Sequence, residues 1–115
     1  MNADLAVSAL AALAQSSRLA IFRLLVEAGP EGLAVGAIGE ALEITPATLS
    51  FHLKNLTQAG LLLARQEGRF IYYSANYGAM DELIAFLTDN CCGGDASQCL
   101  PKSLAKPLRR KTSTQ

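Results

Sequence analysis

Three cysteines crowd one stretch near the end of the chain, Cys91-Cys92-Gly93-Gly94-Asp95-Ala96-Ser97-Gln98-Cys99. Thiolates are soft ligands and select soft acceptors. Trivalent arsenic or antimony takes three sulfurs in a pyramid and keeps a lone pair on the open side. Cys91, Cys92 and Cys99 would complete such a site for As(III) or Sb(III). Zinc would want a fourth ligand, which Asp89, Asp95 or water would have to supply. Adjacent residues of a helix point about 100° apart, so Cys91 and Cys92 converge only where the helix ends. Gly93-Gly94 ends it and permits the return that brings Cys99 back. Oxidation is the other chemistry open to these thiols. A Cys91–Cys92 bond would close a strained ring, so Cys92–Cys99 or an intermolecular bridge is the expected pairing.

A second constellation runs from Thr45 to Ser74. Thr45 is a good N-cap and Pro46 stands at the first helical position, where its missing N–H costs nothing. Leu49, Leu53 and Leu56 recur at i, i+4 and i+7, one apolar stripe. Ala47, Phe51, Lys54 and Asn55 point the other way, with Thr48, Ser50 and His52 on the flanks. Gly60 ends the helix as its C′ residue. Leu61 to Ala64 and Phe70 to Tyr73 are strand-like, with Glu67-Gly68 as the turn between them. An outward aromatic is poor for solubility but useful against thymine methyls or a sugar. The helix and hairpin together suit a groove of double-stranded DNA. Thr48, Ser50, Phe51, His52 and Asn55 would meet base edges or sugars, and Lys54, Arg65 and Arg69 phosphates. His52 has a second reading, as a boundary residue bonded to the neighbouring helix.

The elements that must position these groups fit one modest domain of 115 residues. Half the residues are hydrophobic but there is no Trp, so Leu, Ala, Ile and Val must build the core. The formal net charge of zero hides an asymmetry. Through Leu100 five basic residues face ten acidic ones, and the remainder carries five basic residues and no acid. DNA affinity must therefore come from local patches and the tail. No apolar run reaches membrane-spanning length and the N-terminus lacks a basic start. A cytoplasmic location without a membrane partner is expected, and there the cysteines stay thiols. No cofactor loop, acid–base pair or nucleophile–base constellation accompanies the cysteines, so an enzyme is not expected.

Along the chain, residues 4–14 read as a first helix with Leu5, Ala6, Ala9, Leu10 and Leu13 on a wide apolar face. The second starts with Ser16 or Ser17 as N-cap and stops at Gly29-Pro30. Val35 to Leu42 form a short third, weakened by two glycines, and Glu43-Ile44 link it to Thr45 in the manner of a helix-turn-helix. Asn76 to Asn90 make a fifth, striped by Met80, Leu83, Ile84 and Leu87. The apolar faces of the first and fifth helices have no cover within the chain, and a second copy would supply it. Residues 101–115 look disordered. The domain is taken as 1–92 and the cysteine-containing segment with its basic tail as 93–115.

This order, mainly α (α+β) with a two-stranded wing, resembles the ArsR/SmtB family of metal-responsive winged helix-turn-helix repressors over about residues 5–90. The likeness rests on Ser50-x-His52-Leu53-x-x-Leu56 and Ala59-Gly60-Leu61, with Arg18-Leu19-x-Ile21 at the start of the second helix. It implies a homodimer built from the first and last helices, which leaves its operator when a toxic ion binds. Members that sense zinc through the last helix use paired histidines there, and this chain has a single His, His52. Another family site, Cys-x-Cys in the helix before the recognition helix, has no counterpart between Val35 and Leu42. Cys91, Cys92 and Cys99 are similar to the C-terminal three-cysteine site of one arsenite-responsive subgroup. The expectation is a repressor released by As(III) or Sb(III). The alternatives are a thiol-redox repressor of the same fold and an arsenical-handling protein that does not act on DNA.

Overall fold

In the computed structural model, residues 1–90 and Gly93 are described, so Cys91, Cys92, Cys99 and the basic tail lie outside the described residues. Five helices and three strands follow one another as α1 (Ala3–Leu13), α2 (Ser16–Ala28), β1 (Leu33–Ala34), α3 (Val35–Leu42), α4 (Pro46–Gln58), β2 (Leu62–Glu67), β3 (Phe70–Ala75) and α5 (Tyr77–Leu87). The fold is the mainly helical winged helix-turn-helix expected from the sequence, with one added strand. Two residues long, β1 is too short to leave a periodic signal. It pairs antiparallel with β3, Leu33 opposite Tyr73, and the sheet order is β1-β3-β2. The chain divides after Ile84, with Met1–Ile84 forming one compact unit. Among the described residues no single helix is long and apolar enough to cross a membrane.

The core of the first unit is the leucine stripe of α4 and what it covers. Leu49, Leu53 and Leu56 lose almost all solvent contact beside Ile21 and Leu25 of α2 and Ile38 of α3. Each such side chain contributes about 1.5–3 kcal/mol on burial. At its C-terminus α4 closes with Gly60 at φ +82°. The Leu61 amide donates to the Leu56 carbonyl at 3.0 Å and the Gly60 amide to Thr57 at 3.0 Å, the paired bonds of a Schellman stop. Leu61 and Leu62 then continue the core directly into the wing.

Two caps differ from expectation. Gln15, not Ser16 or Ser17, caps α2, its Oε1 accepting from the Arg18 amide at 2.9 Å. Thr45 is the N-cap of α4 by its extended backbone, but its hydroxyl makes no cap bond and donates to Thr48 Oγ1 at 3.1 Å. Pro46 at the first helical position leaves one fewer free amide at this end of the helix. The start of α5 is held by Asn76, whose Oδ1 accepts from the Ala79 amide at 3.2 Å and whose Nδ2 donates to the Gly60 carbonyl at 2.9 Å. That bond ties the wing's exit to the end of α4.

Only Ala6, Ala9 and Ala12 of α1 are buried, while Leu5, Val7 and Leu10 stay more than 40% exposed in the single chain. Small alanines let α1 lie close on its neighbours, and the larger side chains are left on the other side. In α5 Leu83 is buried, and Phe86 and Leu87 are exposed.

Gly32 holds the sheet's short edge. Its φ is +73°, and a Cβ there would overlap the Tyr73 carbonyl oxygen on β3. Gly32→Ala must strain the backbone and push β1 off the sheet. It should lower unfolding free energy by about 1–3 kcal/mol, read as a reduced urea midpoint at unchanged slope.

Candidate nucleic-acid interface

On α4 the buried residues are Leu49, His52, Leu53 and Leu56, spaced i, i+3, i+4, i+7. The opposite strip, Ala47, Ser50, Phe51 and Lys54, is exposed, and Thr48 beside it is exposed too. Phe51 is 62% exposed, its ring edge-on to that of His52 with centroids 5.6 Å apart. A solvated helix face seldom spends an aromatic this way. Asn55 is half-buried. It borders a cleft of about 370 Å³ that also takes in Ser8 and Ala12 of α1 and Arg18 of α2.

His52 corrects the sequence reading of it as a groove-facing residue. It is 7% exposed and its Nδ1 lies 3.3 Å from Nη1 of Arg18. A guanidinium can only donate, so the neutral imidazole accepts at Nδ1 and carries its proton on Nε2. Burial, and then the Arg18 charge, lower its pKa from the ordinary 6.5. The signal for this was present in the sequence. Position 52 completes the helical spacing of the leucine stripe, and the alternative of a bond to the neighbouring helix is the one observed.

The wing is the β2–β3 hairpin, in register from Leu62 opposite Ala75 to Glu67 opposite Phe70. Gly68 and Arg69 form its two-residue loop, with Gly68 at φ +63°. A positive φ at the first loop residue suits the twist of a tight hairpin. Arg69 therefore stands at the tip. Arg65, by contrast, is held within the protein. Its Nε donates to Glu67 Oε2 at 2.7 Å, its Nη2 to the Glu31 carbonyl at 3.2 Å, and its guanidinium stacks 5.1 Å from the Tyr72 ring centroid. Among the described residues, Lys54 and Arg69 are the cations of the helix and wing left without an ion partner. Phe70, Ile71 and Leu63 are exposed on the hairpin.

Residues 13–64 match a family described as a helix-turn-helix domain. The nodulation protein NolR of Rhizobium meliloti is 32% identical over 112 residues, spanning 97% of this chain and 85% of that protein. The chain belongs to the ArsR-type helix-turn-helix transcriptional regulators. A homodimeric winged helix-turn-helix DNA-binding domain from Mycobacterium bovis, a possible ArsR-family regulator, is 30% identical with a TM-score of 0.62, covering 76% of this chain and 81% of that one. Reduced HlyU from Vibrio cholerae is 29% identical with a TM-score of 0.62, covering 79% and 93%. The likeness is to helix-turn-helix DNA-binding regulators such as the Mycobacterium bovis protein, not to an enzyme.

Within this ArsR-type regulator, two features escaped the sequence reading. Arg18 figures there only in the family likeness, yet it links α1, α2 and α4. The Asn76 tie between wing and helix also has no local pattern, because it joins residues 16 apart. The two faces of α4 should separate cleanly in stability measurements. Phe51→Ala should change unfolding free energy by less than about 0.5 kcal/mol, whereas Leu56→Ala should cost about 2–5 kcal/mol, both by chemical denaturation.

Proposed function

We propose that this regulator binds double-stranded operator DNA as a homodimer and releases it when As(III) or Sb(III) binds the thiolates of Cys91, Cys92 and Cys99. The observation that carries the DNA reading is the division of α4. One strip is core, and the other presents Thr48, Ser50, Phe51 and Lys54 beside a hairpin tipped by Arg69. Asn55 borders that face, and Ser50, Phe51 and Asn55 would read base edges while Lys54 and Arg69 meet phosphates. Arg65, engaged by Glu67, supports the wing more than it serves as a free phosphate contact.

Dimerisation is supported by the exposed Leu5, Val7 and Leu10 of α1 and by the homodimeric Mycobacterium bovis relative. A second copy covering those side chains also spaces two recognition helices for successive major grooves. Three thiolates suit a trivalent soft centre by their chemistry. Among the described residues no group of three His, Cys, Asp or Glu side chains is placed to hold an ion. The cysteines follow α5 in sequence, so a ligand there biases how two subunits dock and need not approach the DNA. Coupling of this kind is typically about 1–3 kcal/mol, roughly 5–150-fold in affinity. The second reading, in which the same thiols oxidise, is favoured by the likeness to a regulator whose reduced form has been solved.

The experiment is an operator titration with arsenite and with peroxide, on the wild type and on Cys91→Ser/Cys92→Ser/Cys99→Ser. Arsenite should weaken wild-type binding roughly 5–150-fold and leave the triple variant on its operator. Release by peroxide alone would favour the redox reading. Release of the triple variant at the wild-type arsenite concentration would place the inducer site elsewhere. For the wing, Arg69→Ala should lower affinity for all sequences and reduce the salt slope by about one per lost phosphate contact, or about two per dimer. Arg65→Ala should lose less in the same fluorescence-anisotropy measurement.

A further inference from the structure

Arg18 sits in the first turn of α2 and reaches two other helices. Its Nε donates to the Ala12 carbonyl near the end of α1 at 2.7 Å, and its Nη1 to Nδ1 of His52 on α4 at 3.3 Å. One guanidinium thus joins the helix with the exposed leucines to the helix with the exposed Ser50 and Phe51. The joint has a chemical condition. Arginine stays charged and offers only donors, so it tolerates neutral His52 and repels the imidazolium. We infer that Arg18 and His52 are positioning residues that set α4 against α1, and that protonation of His52 breaks this joint and makes operator binding fail in mild acid. The inference rests on the DNA-binding reading for its last step only.

The surroundings of His52 offer little to rescue the imidazolium. From α2 it faces Arg18, and α1 contributes the Ala12 carbonyl through that residue; the one charged side chain of α1, Asp4, lies two turns earlier. On α4 its neighbours are the Phe51 ring and, two residues on, exposed Lys54. Glu40 of α3, Glu43 just after it and Glu67 of β2 make no ion pair with it. Burial first and the Arg18 charge second hold the pKa below 6.5. A depressed histidine pKa means that the folded state favours the neutral ring. Its stabilisation is therefore complete above the unfolded value near 6.5 and is lost as pH falls through the folded value.

The test has two arms. In the free wild-type protein, imidazole nitrogen shifts should show the Nε2–H tautomer and a midpoint below 6.5, and Arg18→Gln should move that midpoint upward. Operator affinity is then followed from pH 8 to about pH 5.5 at fixed salt. Below the midpoint, wild-type binding should weaken by up to about tenfold per pH unit for each subunit's imidazole. His52→Gln keeps an acceptor for Arg18 but cannot titrate; it is read for slope rather than level, and its profile should be shallower. An Nδ1–H tautomer, a midpoint at or above 6.5, or parallel profiles for wild type and His52→Gln would overturn the inference. Failure of the wild type to bind any operator at pH 8 would instead refute the DNA reading, and the imidazole arm would still decide the joint.

Discussion

Burial of the leucine stripe of α4 is the constraint on which the rest depends. Leu49, Leu53 and Leu56 must lie against Ile21, Leu25 and Ile38, and that contact fixes which strip of α4 is left for solvent. Because a helix turns about 100° per residue, seating the leucines rotates Ser50, Phe51 and Lys54 outward together. The exposed strip is then a consequence of the core rather than a separate arrangement. The same core runs through Leu61 and Leu62 into the hairpin, so the wing takes its starting position from the helix it follows.

Polar ties refine what burial sets. The Schellman bonds at Gly60 and the Asn76 side chain fasten both ends of the hairpin to the end of α4. Tyr77 donates to the Val26 carbonyl at 2.8 Å, so the beginning of α5 is pinned to the end of α2. These bonds are individually worth about 1 kcal/mol, less than the leucines contribute. Their value lies in direction, since an apolar contact tolerates sliding that a hydrogen bond does not.

Charge is distributed by the same logic. Arg65 lies along the hairpin, where Glu67 and Tyr72 are within reach, and it is absorbed by them. Arg69 in the two-residue loop has no such neighbours. An exposed ion pair such as Arg65–Glu67 adds little stability, but it orders a side chain and shields its charge. The acidic body of the chain therefore still presents isolated cations on the helix and wing, where an anionic partner would meet them.

The sequence alone determined the helices, the strip of α4 and the hairpin, because each is written in local periodicity, a proline start and glycine stops. It also carried the family likeness, in the run from Ser50 to Leu61. The chemistry proposed for Cys91, Cys92 and Cys99 rests on ligand type and spacing in the sequence alone, since those residues lie outside the described part of the structure. Tertiary structure decided what depends on residues far apart in the chain. It brought β1 to β3, because a two-residue strand exists only through its partner. It gave Arg65 the Glu31 carbonyl, 34 positions earlier, beside its local partner Glu67, and left Arg69 without an ion partner among the described residues. It turned His52 from the flank into the core, where a residue 34 positions earlier waits to bond it. Local pattern limits the faces a side chain can occupy, but only packing against distant residues selects among them.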